Sequence, residues 1–422
     1  MLTKAPKGTK DLLPQDSYKW QFIEKTIREV CAAFAFKEIR TPVFEHTELF
    51  ARGVGDTTDI VQKEMYTFLD KGGRSITLKP EGTAGVARSF IENSLYADAQ
   101  PTKLYYLSTP VFRYENPQAG RLREHHQFGV EVFGAAEASI DAEIISIALT
   151  LFKKLGIKGL KLNINSIGCS KCRPDYNQKL KEYFNSNKGN LCKTCRERLN
   201  KNPLRILDCK EESCAPVIKN APVILECLCE ECQNHFEMLK GYLESLGISY
   251  SVNPYIVRGL DYYEKTVFEI ISTDIGAQGT VCGGGRYDGL IEQLGGPKTP
   301  GIGFGLGIER LLIVMESQGI AFFGGDFADV YICTQGDEAK LSGFKMAQEL
   351  RDKGISTETD HMGRSMKAQF KYANKIGAKY VIVIGGDELK KGVVKLRDMK
   401  EGNEREINSH NIIKELSKIF NF

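Results

Sequence analysis

No apolar run in this chain of 422 residues approaches the ~18 needed to span a bilayer. The opening stretch MLTKAPKGTKDLLPQ lacks the apolar core of a secretory leader, and the two absences together predict a cytosolic protein. Charge of one sign is not in excess either. With 57 Lys and Arg against 54 Asp and Glu the formal net charge is +3, so the total neither claims nor excludes a nucleic-acid partner, and any basic surface has to be local. No internal repeat and no low-complexity tract are present. Cysteine is nearly missing outside one window: nine of the 12 lie between Cys169 and Cys232, several as C-x-x-C pairs, which fits a metal site better than a disulfide framework.

What is present is ordinary in bulk, with 42% hydrophobic and 26% charged residues, and the length points to two or three domains. Trp20, Ile23, Ile27, Val30 and Phe34 recur at helical spacing and predict a helix over 18–37, followed by a turn at Thr41-Pro42 and a strand-like VFEH. A second amphipathic helix is expected over 139–157, with Asp141 and Glu143 suiting its first turn. Short strands and hairpins lie between them. The class is α+β, mostly antiparallel. From Asn165 to about Pro254 the chain turns to cysteine, lysine and glutamate, and reads as an insertion. From Asp329 onward strand and helix alternate (DVYICT, a helix through Leu350, ISTETD, a helix across 365–376, KYVIVIGG), which predicts a small α/β domain.

The stretch FRYENPQAGRLREHHQFGVEVFG, 112–134, carries the first chemistry. Alternate residues of a strand face opposite sides, so Arg113 and Glu115 share one face of VFRYE, while Gln127, Gly129 and Glu131 share one face of HQFGVEVF. Paired antiparallel, the two strands give a floor of Arg113, Glu115, Gln127 and Glu131 over an apolar back. Such a floor offers a cation to phosphate and acceptors to an amine or imidazole; for the hairpin alone, a solvated sheet face with cross-strand ion pairs is the commoner reading. In GIGFGLGIERLL, glycines 301, 303, 305 and 307 leave one strand face with no side chains, which suits either a flat ligand or a close backbone neighbour. Arg310 follows as the helix opens. GGGRYDGL, 283–290, reads as a turn, Arg258 of VRGLDYY as a surface cation, and Tyr262 and Tyr263 as half-buried sheet residues.

Taken together, PKGTKDLLP, TPVFEHTELFARGVGDTTDIV, LKPEGTAGVAR, FRYENPQAGR, VRGLDYY, GGGRYDGL, GFGLGIER and VIVIGGDELKKG, in this order along the chain, resemble the class II aminoacyl-tRNA synthetases, and within them the bacterial histidyl-tRNA synthetase family. The resemblance implies an antiparallel catalytic sheet with flanking helices over 1–325, interrupted by a mainly helical domain at 166–252, which in this chain is Cys-rich, and an anticodon-binding domain at 326–422. It implies ATP with Mg²⁺, L-histidine and histidine tRNA as substrates, a homodimer with Pro42 near its two-fold axis, and histidyl-adenylate as the intermediate. Arg113 and Arg258 would be the catalytic cations. Glu81, Thr83, Gln127, Glu131, Tyr262 and Tyr263 would bind histidine, while Arg113, Glu115, His125 and Arg310 would bind ATP. Gln118, Arg121 and Arg123 would meet the tRNA acceptor end. In the last domain Arg364, Lys367, Lys371, Lys375 and Lys379 recur every three or four residues as one helical face, either simply solvated or contacting RNA.

Three features depart from the resemblance. Asn116 stands where the family's hairpin loop commonly has a second arginine, and His125 where it has a phenylalanine that flanks the adenine. Cys169-Cys172, Cys192-Cys195, Cys209-Cys214 and Cys229-Cys232 form four close pairs, enough for one or two Cys₄ structural zinc sites, with reduced structural thiols as the other reading. Cys227 is left over, and a closed four-thiolate site has no open position for catalysis. Two rival functions are weighed against this one. A regulatory subunit for histidine biosynthesis typically lacks the last domain and the catalytic arginines, both kept here, and a zinc-containing nucleic-acid regulator leaves the glycine face and Arg258 unexplained.

Overall fold

The computed structural model describes residues 3–55, 58, 60–209, 211–274, 279–322 and 328–420, arranged as two compact units, 1–323 and 324–422. Asp56, Thr57 and Asp59 of the TPVFEHTELFARGVGDTTDIV stretch lie outside the described residues.

The first unit is built on an eight-stranded sheet in the order β1 (Lys37–Glu38), β5 (Thr102–Phe112), β6 (Glu124–Phe133), β11 (Gly301–Gly307), β10 (Thr280–Arg286), β9 (Glu264–Ser272), β7 (Leu160–Ser166) and β8 (Ser251–Val252). Only the two-residue edge strands β1 and β8 pair parallel with their neighbours; every other pairing is antiparallel. Alternation along the strands divides the sheet. One face carries Phe128, Val130, Val132, Phe268, Ile270, Ile302, Phe304 and Leu306 into a core closed by Ile23, Ile27 and Val30 of the Pro14–Ala33 helix and Ile144, Ala148 and Leu151 of the Ala138–Lys154 helix. The other face carries the glycines and polar residues discussed below. Pro14 starts the first helix at a position where its missing N–H is no loss. That helix ends at Ala33, four residues before the sequence expectation, and Ala35 takes φ +60, a left-handed conformation that cannot continue it.

A small sheet of β2 (Phe44–His46), β4 (Ser75–Leu78) and β3 (Tyr66–Leu69) stands apart and leaves Phe44, Phe68 and Leu69 exposed. Between β7 and β8 the chain runs through helices Arg173–Ser186, Lys193–Lys201, Ala215–Lys219 and Glu230–Ser245, with a core of its own around Tyr176, Leu180, Phe184, Leu199, Ile206 and Val217. The last of these helices packs Phe236, Leu239 and Leu243 back onto the main core.

One buried cluster locks that return. Arg286 on β10 is fully buried and pairs with Asp141 and Asp288, and it also donates to the carbonyls of Ala135 and Glu137. His235 of the returning helix reaches the same Asp141 at 2.7 Å. Burial pushes the Asp141 carboxyl up, but the adjacent Arg286 guanidinium and His235 outweigh it and hold the group below its usual range.

The second unit has a five-stranded sheet in the order β13 (Thr357–Thr359), β12 (Val330–Thr334), β14 (Tyr380–Ile384), β15 (Val393–Asp398) and β16 (Glu404–Asn408). Its first three strands are parallel, as strand-helix alternation requires, and the last two form antiparallel additions. The α+β expectation, antiparallel in the first unit and α/β at the end, is met. No helix among the described residues is long and apolar enough to cross a membrane.

Candidate active site

The polar face of the central sheet is floored by glycines. Gly129 on β6 pairs with Gly305 on β11, which pairs with Gly283 on β10, and Gly303 pairs with both Glu131 and Gly285. The expected glycine face is therefore wider than one strand, because the GGGR of GGGRYDGL supplies part of it as strand β10 and only Asp288-Gly289 forms the expected turn. It is also partly occupied. The Glu131 carboxylate lies over Gly303, the Tyr287 ring over Gly301, the Tyr263 ring beside Gly285 and the Tyr106 phenol over Gly129. The floor is open at Gly305 and Gly307, where an added Cβ would meet nothing closer than 3.8 Å or nothing at all.

Around that opening stand Arg113, Gly120, Arg121, His125, Gln127, Arg258, Thr280 and Arg310. Strand parity brings Gln127 and Glu131 to the floor as expected. The strand of VFRYE, however, ends at Phe112, so Glu115 belongs to the loop and pairs with Arg121 at 2.6 Å. Arg113 Nε donates to the Pro80 carbonyl at 2.9 Å, leaving the far side of its guanidinium toward the cleft. Burial, and then the neighbouring Arg121, lower its pKa. Arg258 is not a surface cation. It lies flat on Gly283, bonds Glu269 of β9 at 2.5 Å and keeps its Nε buried with no partner among the described residues. Arg310 donates to the Thr280 carbonyl at 2.9 Å under the Gly120 turn. Burial, reinforced by Arg113, lowers His125 to about 3, so its imidazole is neutral at the cleft.

A second, buried compartment adjoins the first. Glu81 accepts the backbone N–H groups of Thr83 and Ala84 at 2.7 and 2.8 Å, at the start of the Thr83–Glu92 helix. Glu131 accepts Thr83 Oγ1 at 2.7 Å and the Tyr287 phenol. Tyr262, Tyr263 and Tyr287 close around them with ring centroids 4.6 to 6.4 Å apart, and all three are buried. Tyr262 and Tyr263 precede β9 and belong to no strand. Burial, followed by opposing hydrogen bonds and repulsion from Glu81, leaves the Glu131 carboxyl raised to about 8. Gln127 Oε1 is buried with no partner among the described residues, an acceptor left over in the lining of the cleft.

Tyr106, Tyr287 and Glu269 complete the site and escape the sequence reading. Tyr287 follows the glycine run as its apolar-looking neighbour, which is the one signal for it. Gln118 and Arg121 form a tight turn around Gly120, φ +68, Arg123 stacks on Tyr114 at 4.1 Å, and Asn116 is exposed on the same loop.

The eight paired cysteines gather as two sets of four: Cys169, Cys172, Cys229 and Cys232, and Cys192, Cys195, Cys209 and Cys214, with the sulfurs of each set within 4.8 Å of one another. The first and last pairs join the two ends of the insertion, its neck, and the middle pairs join its central stretch, 192–214, its tip in chain order. Nearest sulfurs stand 3.7 to 3.9 Å apart, far beyond a disulfide, and backbone N–H groups of Cys229 and Cys192 point at Cys172 and Cys214. Cys227 lies outside both sets, against Lys179 Nζ at 3.4 Å.

In the second unit the expected basic stripe is divided. Lys367, Lys371 and Lys375 are exposed on the Met366–Lys375 helix. Arg364 precedes it, bonded to Asp360 at 2.8 Å and stacked on Tyr372, and Lys379 follows Gly377 and pairs with Asp329 at 3.0 Å. The helix begins after Ser365 and stops at a glycine with φ +71, so five cations at helical spacing in sequence are three on one face.

Residues 8–311 match the family described as histidyl-tRNA synthetase, and residues 329–419 the family described as anticodon binding domain. The chain is 62% identical over 407 residues to the histidine–tRNA ligase of Caldanaerobacter subterraneus subsp. tengcongensis, covering 96% of this chain and 97% of that protein. It is 61% identical over 419 residues to that of Thermoanaerobacter pseudethanolicus, covering 99% and 100%. The crystal structure of apo S. aureus histidyl-tRNA synthetase is similar with a TM-score of 0.84 at 41% identity, over 98% of this chain and 99% of that one.

Proposed function

The chain belongs to the histidyl-tRNA synthetase family, and from that premise we propose how its site divides the work. The reaction is the ATP-dependent attachment of L-histidine to histidine tRNA. A carboxylate oxygen of histidine attacks the α-phosphorus of ATP, which enters as its magnesium complex, and the bond to pyrophosphate breaks. A ribose hydroxyl of the terminal adenosine then attacks the carbonyl carbon of the adenylate and AMP leaves. A regulatory, non-catalytic role is not favoured, since relatives named as ligases match the chain over nearly its full length.

The observation that carries the reading of the site is that Arg113 and Arg258 line one cleft over the open floor at Gly305 and Gly307, with the orphaned Gln127 acceptor in the same cleft and the buried carboxylate pocket next to it. Two anions must approach one another in the first step, so fixed guanidinium groups on the phosphoryl oxygens supply the stabilisation, with no covalent protein intermediate. Gln127 and Glu81 would take the histidine ammonium group. Glu131 and Tyr263 would take the two ring nitrogens, with Thr83, Tyr262, Tyr106 and Tyr287 fixing them. A site that hydrogen-bonds both nitrogens rejects amino acids lacking them by roughly 10⁴ or more. The adenine would lie between neutral His125 and Arg310 over Gly305 and Gly307, and Glu115, held by Arg121, would reach its edge. Gln118, Arg121 and Arg123 would meet the acceptor end, and Arg364, Lys367 and Lys371 the anticodon arm.

Both cysteine sets suit structural zinc. Four sulfurs around an ion at about 2.3 Å stand about 3.8 Å apart, close to the spacings found here. Zinc would tie the neck and the tip of the insertion together without an open position for chemistry. We also infer a cytoplasmic homodimer; the exposed Val43 and Phe44 that follow Pro42, with Phe68 and Leu69 on the same small sheet, support the dimer.

The test is amino-acid-dependent exchange of pyrophosphate into ATP with each of the twenty amino acids. Exchange driven by histidine alone, and lost in Arg258→Ala, is the expected result. Exchange with no amino acid, or an active Arg258→Ala, overturns it.

A further inference from the structure

The segment that carries Arg258, Tyr262 and Tyr263 has no regular structure between β8 and β9, so something other than a sheet ladder has to fix it. Two of its backbone carbonyls are taken by arginines of the Cys-rich insertion. Arg205 Nη1 donates to the Arg258 carbonyl at 3.1 Å, and Arg173 Nη2 donates to the Tyr263 carbonyl. Asn202 adds a bond to Asp261 at 3.2 Å between them.

Each arginine is placed by one cysteine set. Arg173 directly follows Cys172, opens the helix that Cys172 caps and gives its backbone N–H to the Cys169 carbonyl at 3.1 Å. Gly168, φ +65, lets Cys172 pack so close that a Cβ there would stand 2.7 Å from it. Arg205 sits in the Pro203–Ile206 turn, between the helix bearing Cys195 and Cys209, whose N–H bonds the Ile206 carbonyl at 3.0 Å. Arg198 Nη1 holds the Arg205 carbonyl at 3.2 Å.

We propose that Arg173 and Arg205 are positioning residues for amino-acid activation: the neck set of cysteines holds Tyr263 in place through Arg173, and the tip set holds Arg258 on Gly283 through Arg205. The insertion thereby acts on the first chemical step, before any tRNA is bound. This rests on the roles given above to Arg258, Tyr263 and the two metal sites. The two arginines act differently. Freeing the Tyr263 carbonyl loosens the wall of the histidine pocket, whereas freeing the Arg258 carbonyl shifts a guanidinium that faces the phosphorus.

Histidine-dependent pyrophosphate exchange without tRNA, on the full chain with zinc per chain measured on the same samples, tests this. Arg173→Ala is expected to raise KM for histidine about tenfold while kcat stays within about twofold, and Arg205→Ala to lower kcat about tenfold while KM holds. Zinc content stays at the wild-type value in both, and Arg→Lys at either position recovers part of the loss, since an ammonium can still donate to the carbonyl. Where an alanine variant loses zinc, Arg173→Met or Arg205→Met, which keeps the packed stem without the donor, is judged by the same criteria. Unchanged exchange kinetics at full zinc overturn the proposal, as do a defect confined to tRNA charging and loss of zinc in the methionine variants as well. Wild-type protein that fails to exchange with histidine refutes the site reading itself, whatever the insertion variants do.

Discussion

The guanidinium of Arg258 rests on Gly283 so closely that a methyl group at 283 would stand 2.6 Å from both of its terminal nitrogens. Arg258 is the flexible partner, so Gly283→Ala should fold and push the cation aside. A displacement of about 1 Å at a reacting centre costs on the order of 10² in rate. Exchange assays are expected to show that loss in kcat, with the denaturation midpoint nearly unchanged; full activity would mean Arg258 does not act from this position.

Glu131 offers a pH test. Buried and raised to about 8, it is protonated in the empty site at neutral pH, whereas in the unfolded chain it ionises near 4.3. The native state therefore holds the extra proton between those values, and its contribution to stability falls as pH rises through that window. A substrate N–H needs the carboxylate form. KM for histidine should therefore improve from pH 7 to pH 8.5, with proton release on binding seen by calorimetry in two buffers, and Glu131→Gln should bind weakly with a flat profile. A wild-type KM that does not change with pH contradicts this assignment.

Asp141 neutralises Arg286 inside the protein. Asp141→Asn leaves the buried Arg286 guanidinium with the carboxylate of Asp288 alone, which costs up to roughly 3 to 5 kcal/mol, the figure for a fully uncompensated buried charge. Thermal unfolding should come at a clearly lower temperature. Because the Asp141 pKa is depressed in the fold, the wild-type advantage should be full above about pH 4 and shrink as acid titrates the group, so the two proteins converge at low pH.

Metal analysis of purified protein should find two zinc ions per chain, released by a thiol-modifying reagent. Replacing Cys232 and Cys229 by serine should remove one and leave the other. Less than one per chain in the wild type would make these clusters reduced thiols.

Asn116 is exposed on the hairpin loop. Asn116→Arg should alter tRNA charging and barely change pyrophosphate exchange; equal effects on both would place the residue in activation.

Strand parity made the floor legible, because Gln127, Gly129 and Glu131 alternate without interruption on β6 and their partners on β11 are glycines. It failed for Tyr106. A register shift between Tyr106 and Thr109, at Ser108 with φ +48, puts Tyr106 on the same face as Thr109 although their numbers differ in parity. Arg258 looked like a surface cation because nothing in VRGLDYY announces that strands β9 and β10, with Glu269 and Gly283, come to lie beneath it. The cysteine pairs announced metal chemistry but not which pairs join, since that is decided by the path of the helices between them. In the last unit, sequence spacing carried the basic stripe past both ends of a helix that capping and a glycine had already closed.

The glycine floor also bears on resistance to inhibitors. A compound filling the cleft would press mainly on backbone, and at Gly129, Gly283, Gly285 and Gly303 even a methyl group would collide with the enzyme's own Tyr106, Arg258, Tyr263 or Glu131. A floor substitution that evicts such a compound would disable the catalyst too. Escape is left to Gly305 and Gly307, where a side chain has room, or to the walls, so a compound that leans on the crowded part of the floor gives mutation the fewest ways out.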